Sequence, residues 1–328
     1  MNLGPYQPNT YVVGDCRALL RQLPDLSINC CVTSPPYWGL RDYGEPGQLG
    51  LEATPAEYVA NMVEVFREVR RVLRDDGTAW INLGDSYNAY NGNAGPGSGF
   101  SSGAACDTER PHLKSGHGLR TCELKPKDLV GIPWRVAFAL QADGWYLRSE
   151  IIWHKPNPMP ESVTDRPTKS HEQVFLLAKS ESYFYDAAAI AEPCIYPGDH
   201  GFPRGPIEGC DSETVAWRAK SQQDRKLAGV DSRTAGAETR NRRTVWTIPT
   251  QLTPDAHFAT FPEKLVEPCI LAGCPAGGIV LDPFGGSGTV GRVAEDLGRK
   301  WLLFDLSAKY AEIAKRKTAQ IGLLGRCG

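Results

Sequence analysis

Asp282-Pro283-Phe284-Gly285-Gly286-Ser287-Gly288-Thr289 follows an apolar run, Gly278–Asp282, and opens a segment with helical spacing, Thr289–Leu297. A strand that turns through glycines into a helix brings backbone close to a ligand, because glycine adds no Cβ and tolerates tight turns. The helix start adds N–H groups that have no partner within the helix. Asp305 follows the next apolar run, Lys300–Phe304. A carboxylate at that place accepts hydrogen bonds from two ribose hydroxyls. The pattern therefore predicts an adenosine-bearing cofactor. Gly286-x-Gly288-x-x-Gly291 also fits the dinucleotide fingerprint, which keeps an NAD-dependent oxidoreductase as a rival. Little chain follows Gly291 to finish a doubly wound NAD domain, unless strands from the N-terminal half complete the sheet. The Asp-Pro-Phe prefix is also unlike the usual NAD turn.

The rest of the chain repeats the strand–helix alternation. Strands are predicted at Tyr11–Val13, Ile28–Val32, Thr78–Leu83, Leu147–Trp153, Gln173–Ala178 and Thr244–Ile248. Helices are predicted at Arg17–Leu23, Leu129–Ala142, Glu263–Ala272 and Ala308–Thr318. One further helix starts at Thr54, with Pro55 at its first position and Glu57 closing a capping box, and runs to Gly77. Met62, Phe66, Val69 and Leu73 share one of its faces. Such alternation predicts an α/β fold, a parallel sheet with helices on both faces. Two stretches break the pattern. Residues 88–124 are rich in Gly, Ser and Asn and read as a long mobile loop. Residues 186–243 mix Pro, Gly and charge, end in Arg240, Arg242 and Arg243, and read as an inserted module.

Composition sets limits. Of 328 residues, 41% are hydrophobic, and 36 Lys+Arg against 38 Asp+Glu leave a formal charge of −2. A wholly basic, tail-like binder is excluded, but a nucleic-acid partner met by a local basic face is not. Met1–Thr10 carries neither a positive charge nor an apolar stretch, and no run approaches the roughly 18 apolar residues of a membrane span. A soluble, cytoplasmic protein is expected, with no membrane partner. The 10 cysteines are scattered and read as reduced core residues. Cys106, His112, His117 and Cys122 lie close together, but their spacing fits no standard zinc site, so no metal is expected.

Ser34-Pro35-Pro36-Tyr37 follows the strand Ile28–Val32. Two prolines fix the backbone and remove two N–H donors. What remains is carbonyl oxygens, one hydroxyl and an aromatic face. Such an acceptor-rich pocket suits an NH₂ group on a flat ring.

Together, the two motifs resemble those of the DNA amino-methyltransferases, which methylate cytosine N4 or adenine N6 with S-adenosylmethionine. The resemblance is to the circularly permuted group, in which the catalytic motif precedes the cofactor motif. Gly14-Asp15-Cys16 resembles the strand end that reaches the cofactor's adenine. Ile151–Asn157 through Arg166–Glu172 resembles the stretch on the target-base side, and His257–Pro262 the segment folded over the cofactor.

The resemblance implies a Rossmann-like S-adenosylmethionine-dependent methyltransferase fold. Residues 1–185 and 244–328 would form the catalytic domain, and 186–243 a target-recognition insertion. It implies catalytic roles for Ser34, Pro35, Pro36 and Tyr37. It places Asp15, Thr33, His257, Phe258, Ala259, Pro262, Asp282, Pro283, Phe284, Gly286, Ser287, Gly288, Thr289 and Asp305 at the cofactor. Trp38, His154, Lys155, Arg240, Arg242 and Arg243 would meet DNA. The implied partners are double-stranded DNA and a cognate restriction endonuclease, with monomer and homodimer both open.

In this family Ser-Pro-Pro-Tyr usually accompanies cytosine N4 methylation and Asp-Pro-Pro-Tyr adenine methylation, so Ser34 favours cytosine, with adenine as the alternative. Carbon-5 methylation would need a catalytic cysteine after a strand, and Pro193-Cys194 lacks that context. A non-catalytic DNA-binding relative is the third rival, disfavoured by the intact motifs.

Overall fold

The computed structural model describes residues 2–40, 42–88, 124–193, 239–251 and 261–319. His257, Phe258 and Ala259, the Cys106–Cys122 cluster, Cys194, and most of the expected loop and insertion lie outside the described residues.

The described elements are, in chain order, β1 (Thr10–Val13), α1 (Cys16–Leu20), β2 (Ile28–Thr33), α2 (Pro55–Val72), β3 (Leu73–Leu83), α3 (Ile132–Ala142), β4 (Tyr146–His154) and β5 (His171–Ala178). They continue with β6 (Glu192–Pro193), β7 (Thr239–Arg240), β8 (Val245–Thr247), α4 (Glu263–Gly273), β9 (Ile279–Asp282), α5 (Thr289–Asp296), β10 (Lys300–Asp305) and α6 (Ala308–Ala319). The chain divides into two compact units, Met1–Asp186 with Thr244–Gly328, and Ala187–Arg243.

The larger unit is built on an eight-stranded sheet in the order β1-β10-β9-β2-β3-β5-β4-β8. β1, β10, β9, β2 and β3 run parallel, and β5 is antiparallel to both β3 and β4. Counted from β9, through the chain termini to β1, β2 and β3, the parallel strands take the order 3-2-1-4-5. That is the doubly wound order. The sheet is thus Rossmann-like and circularly permuted, and the strand order reverses between β9 and β2. Ligands of such sheets bind outside the carboxyl ends of the strands at that reversal.

β2, β9 and the interior of β10 are almost wholly buried, as parallel strands covered on both faces must be. On one face lies a core that includes Leu20, Phe66, Ile81, Phe175, Leu281 and Phe304. On the other, Trp80 stacks between Tyr185 and Trp246, each ring 6.5 Å away. Thr54 caps α2 as expected, its Oγ1 accepting from the Glu57 N–H at 3.2 Å, while Glu57 Oε2 reaches one residue further back and accepts from the Ala53 N–H at 3.1 Å. It ends at Val72 rather than at Gly77. β3 begins at once, and the exposed Arg74, Asp75 and Asp76 bulge between the Ile28–Leu73 and Cys30–Thr78 pairs. The helical spacing of Leu73 is real, but pairing with β2 claims it for the sheet.

In the smaller unit β6 and β7 pair antiparallel. Glu192 there accepts from Arg240 at 2.9 Å and from Arg243 at 2.6 Å.

Candidate active site

The strand ends flanking the reversal carry the two motifs. Asp282 ends β9 and Thr33 ends β2; both are buried, and the Thr33 hydroxyl donates to Asp282 Oδ1 at 2.6 Å. The Phe284 N–H donates to the same oxygen at 3.0 Å. Burial pushes the Asp282 carboxyl up to about 7, with those two donors pulling against it.

The glycine loop is tight for steric reasons. A Cβ on Gly285 would stand 2.9 Å from Leu303 Cβ, and one on Gly288 2.6 Å from Ala314 Cβ. Gly288 also has φ +80° and caps α5 with no side-chain hydrogen bond, so the helix N–H groups face outward. Asp305, at the end of β10, accepts from the Gly286 N–H and the Ser307 N–H, both at 2.9 Å. Each bond uses a different carboxyl oxygen, so each oxygen keeps further acceptor capacity. Burial raises the Asp305 carboxyl above its usual range, against those two backbone donors. The Tyr11 hydroxyl fixes the loop from below by donating to Gly286 O at 2.9 Å.

One cavity joins this half to the Ser34–Tyr37 turn, and Asp15, Phe284, Asp305, Tyr310, Asn82, Lys155 and Glu172 are among the residues that line it. The turn is pinned by the buried Tyr58, whose hydroxyl donates to Pro36 O at 2.8 Å. Gly84 gives Tyr37 its place: a Cβ there would lie 2.4 Å from the Tyr37 ring. The Tyr37 hydroxyl donates to Glu172 Oε2 at 2.7 Å. Asn82 Nδ2 donates to the Tyr37 oxygen at 2.6 Å and to Glu172 Oε2 at 3.0 Å. Ser34 Oγ lies 3.4 Å from both the Tyr37 oxygen and Asn82 Nδ2. Lys155 forms an ion pair with Glu172, its ammonium 4.3 Å from the centre of the Trp153 ring. Burial pushes the Glu172 carboxyl up; Lys155 and the Tyr37 and Asn82 hydrogen bonds outweigh it and leave the group below its usual range.

Most of the expected site residues meet here, with corrections. Trp38, read as a DNA contact, is 1% exposed and donates its indole N–H to Glu52 O at 3.0 Å, so it is a core residue. Lys155, read likewise, is committed to Glu172 inside the cavity. Asp15 lines the cavity, but its carboxylate caps α1 and takes the Arg17 side chain at 2.6 Å, a contact that lowers its pKa. Pro262 is buried at the start of α4, beside Phe261, which lines the cavity. His154 sits at the end of β4, with Nδ1 3.1 Å from Thr247 Oγ1. Arg240, Arg242 and Arg243 belong to the smaller unit.

Asn82 was missed, and Glu172 was included only in the base-side stretch, with no role of its own. Asn82 carried a signal, a polar residue ending the buried run Ala79–Ile81. Glu172 carried its place at the end of the base-side stretch, just before an apolar strand, but nothing local marked it as a partner of Tyr37.

Sheet order, glycine loop and acceptor-rich turn together define a Rossmann-like methyltransferase domain. The DNA methylase family of N6/N4 type matches residues 28–316. The chain is 45% identical over 306 residues to the Type II methyltransferase M.Cfr9I of Citrobacter freundii, covering 93% of this chain and 86% of that protein. Its fold is similar to that of the PvuII DNA methyltransferase (cytosine-N4-specific), with a TM-score of 0.60, 20% identity, and 95% and 89% of the two chains covered. It is also similar to a putative DNA modification methylase from Thermus thermophilus complexed with S-adenosyl-L-methionine. There the TM-score is 0.55, at 22% identity over 94% and 93% of the chains. The chain belongs to the N6/N4 DNA methylase family and is a DNA methyltransferase. No helix among the described residues is long and apolar enough to cross a membrane.

Proposed function

We propose that the protein transfers a methyl group from S-adenosylmethionine to the exocyclic N4 amine of cytosine in double-stranded DNA. The observation that carries this reading is the single cavity shared by Ser34–Tyr37 and the glycine loop. The residues present fit the cofactor. Gly286 lines the cavity and faces open space, a Cβ there meeting nothing closer than 3.9 Å, and Asp305 keeps acceptor capacity for ribose hydroxyls. Asp282, Phe284 and Gly286 would hold the remainder. When bound, S-adenosylmethionine would supply an electrophilic methyl on a sulfonium: the N–C bond would form as the C–S bond breaks, the sulfur leaving as the neutral thioether S-adenosylhomocysteine and the amine's surplus proton passing to solvent water.

The chain's task is to position the amine and sharpen its lone pair. Cytosine N4 is a weak nucleophile because its lone pair is shared with the ring, and the stacked duplex hides it, so the base is flipped out. Ser34 Oγ and the Pro35 carbonyl accept the amine hydrogens, which localises the lone pair and aims it at the methyl. Tyr37 stacks on the base. Rate comes from placement and fixed dipoles, without a covalent enzyme intermediate. Ser34 at the head of the motif, in place of an aspartate, favours cytosine over adenine.

Residues 186–243 act as the target-recognition module, with Arg240, Arg242 and Arg243 as phosphate-contact candidates. As a Type II methyltransferase, the protein would protect cytoplasmic DNA from a cognate restriction endonuclease. Incubation of duplex DNA with protein and labelled cofactor, followed by nucleoside mass analysis, tests the reading: label in N4-methylcytosine supports it, and label in N6-methyladenine replaces its base assignment.

A further inference from the structure

The direction of the hydrogen bonds behind Ser34 follows from chemistry alone. An ionised carboxylate only accepts. Lys155 is paired with Glu172 Oε1, and the carboxyl is held below its usual range, by Lys155 and the Tyr37 and Asn82 donors against the upward push of burial. Glu172 Oε2 lies 2.7 Å from the Tyr37 hydroxyl, so the phenol must spend its one proton on the carboxylate. The Tyr37 oxygen is then an acceptor toward its other neighbours. It takes Asn82 Nδ2 at 2.6 Å, and the Ser34 O–H is directed at it across 3.4 Å. With its own proton turned back toward Tyr37, Ser34 Oγ presents lone pairs to the cavity. The 3.4 Å step is long, as such bonds are before a substrate tightens the site. The same carboxylate fixes the Asn82 amide, since only Nδ2 can face it; Asn82 Oδ1 is left as a buried acceptor with no partner among the described residues.

A serine hydroxyl is by itself ambiguous, able to donate or accept. An amine poised for methylation needs an acceptor that will not turn round. From this geometry we propose that Glu172 is a positioning residue for the methyl-transfer reaction. Through Tyr37 it sets the polarity of the chain so that Ser34 serves only as an acceptor. Lys155 keeps Glu172 ionised for that purpose. A neutral serine is thereby given the one-way character that an aspartate has intrinsically. The proposal rests on the amino-methyltransferase reading above.

The test measures single-turnover methyl transfer to duplex DNA from labelled S-adenosylmethionine, and cofactor Kd, for the wild type and four variants. These are Glu172→Gln, Glu172→Asp, Tyr37→Phe and the double variant Tyr37→Phe/Glu172→Gln. Gln copies the shape of Glu but brings a donor; Asp changes the reach but only accepts. The expected rates fall about 10²-fold in Glu172→Gln, with Glu172→Asp above it and the double variant no slower than Tyr37→Phe. Cofactor Kd is expected to stay unchanged throughout. A role in packing alone favours the isosteric Gln, so Glu172→Gln equal to or faster than Glu172→Asp overturns the proposal. Additive losses in the double variant overturn it too, as does loss of cofactor affinity in Glu172→Gln while Tyr37→Phe retains it. Total label in DNA is counted first and assigned to a base afterwards. N6-methyladenine as product would overturn only the cytosine assignment, and the order of the variants would still decide the role of Glu172.

Discussion

The Thr33 hydroxyl and Asp282 Oδ1 are 2.6 Å apart although 249 residues separate them in the chain. That bond closes the reversal point of the sheet and ties the catalytic turn to the cofactor loop. Thr33→Val keeps the shape and removes the donor. A hydrogen bond to a charged or chargeable buried group is worth about 1.5–3 kcal/mol, so unfolding free energy should drop by that order. Denaturant titration at neutral pH checks this, and an unchanged midpoint would show that the bond contributes nothing.

Asp282 makes stability depend on pH in an unusual sense. Its carboxyl is raised from 3.8 to about 7 in the folded protein, chiefly by burial. Between those values the folded state holds a proton that the unfolded state has released. Stability contributed by this group is therefore full below about pH 4 and is lost as pH rises toward 7. Asp282→Asn removes the titration. The difference in unfolding free energy between wild type and Asp282→Asn should move against the wild type from about pH 4 to about pH 7 and level off above it. A difference that stays flat across that window would contradict the buried, proton-holding carboxyl.

Gly84 provides the surface on which Tyr37 lies. A Cβ would meet the ring at 2.4 Å, and the ring is held from the other end by Asn82 and Glu172. Gly84→Ala should displace the ring, costing about 1–3 kcal/mol of overpacking and, where that strain falls on the transition state, about ten- to a hundredfold in kcat. Gly84→Ala combined with Tyr37→Ala should be no slower than Tyr37→Ala alone. Additive losses in kcat would place the effect of Gly84 elsewhere.

Much of this site was legible because its parts are local. Glycines in a strand-to-helix turn, a Pro-Pro turn after an apolar strand, and Asp305 at a strand end each declare themselves within a few residues. The alternation of elements predicted the parallel sheet, and the strand order found in the structure brings them together. What stayed hidden depends on long-range contact. Asn82 and Glu172 are 90 residues apart and join only because β3 and β5 pair antiparallel. Trp38 adjoins the catalytic turn, and adjacency alone suggested a role at DNA; packing puts it in the core. Lys155 was placed at DNA with the rest of its stretch, and its ion pair with Glu172 holds it inside the cavity instead. The end of α2 was misplaced because helical spacing continues through Leu73, while pairing with Ile28 begins there.

Nucleoside mass analysis of duplex DNA incubated with labelled S-adenosylmethionine and the protein, run beside Ser34→Ala, bears most directly on the central claim. The expected result is label in N4-methylcytosine, reduced about 10²–10³-fold in Ser34→Ala by loss of one transition-state hydrogen bond, with cofactor affinity retained. Full activity in Ser34→Ala, or methylation of RNA in preference to duplex DNA, would contradict it.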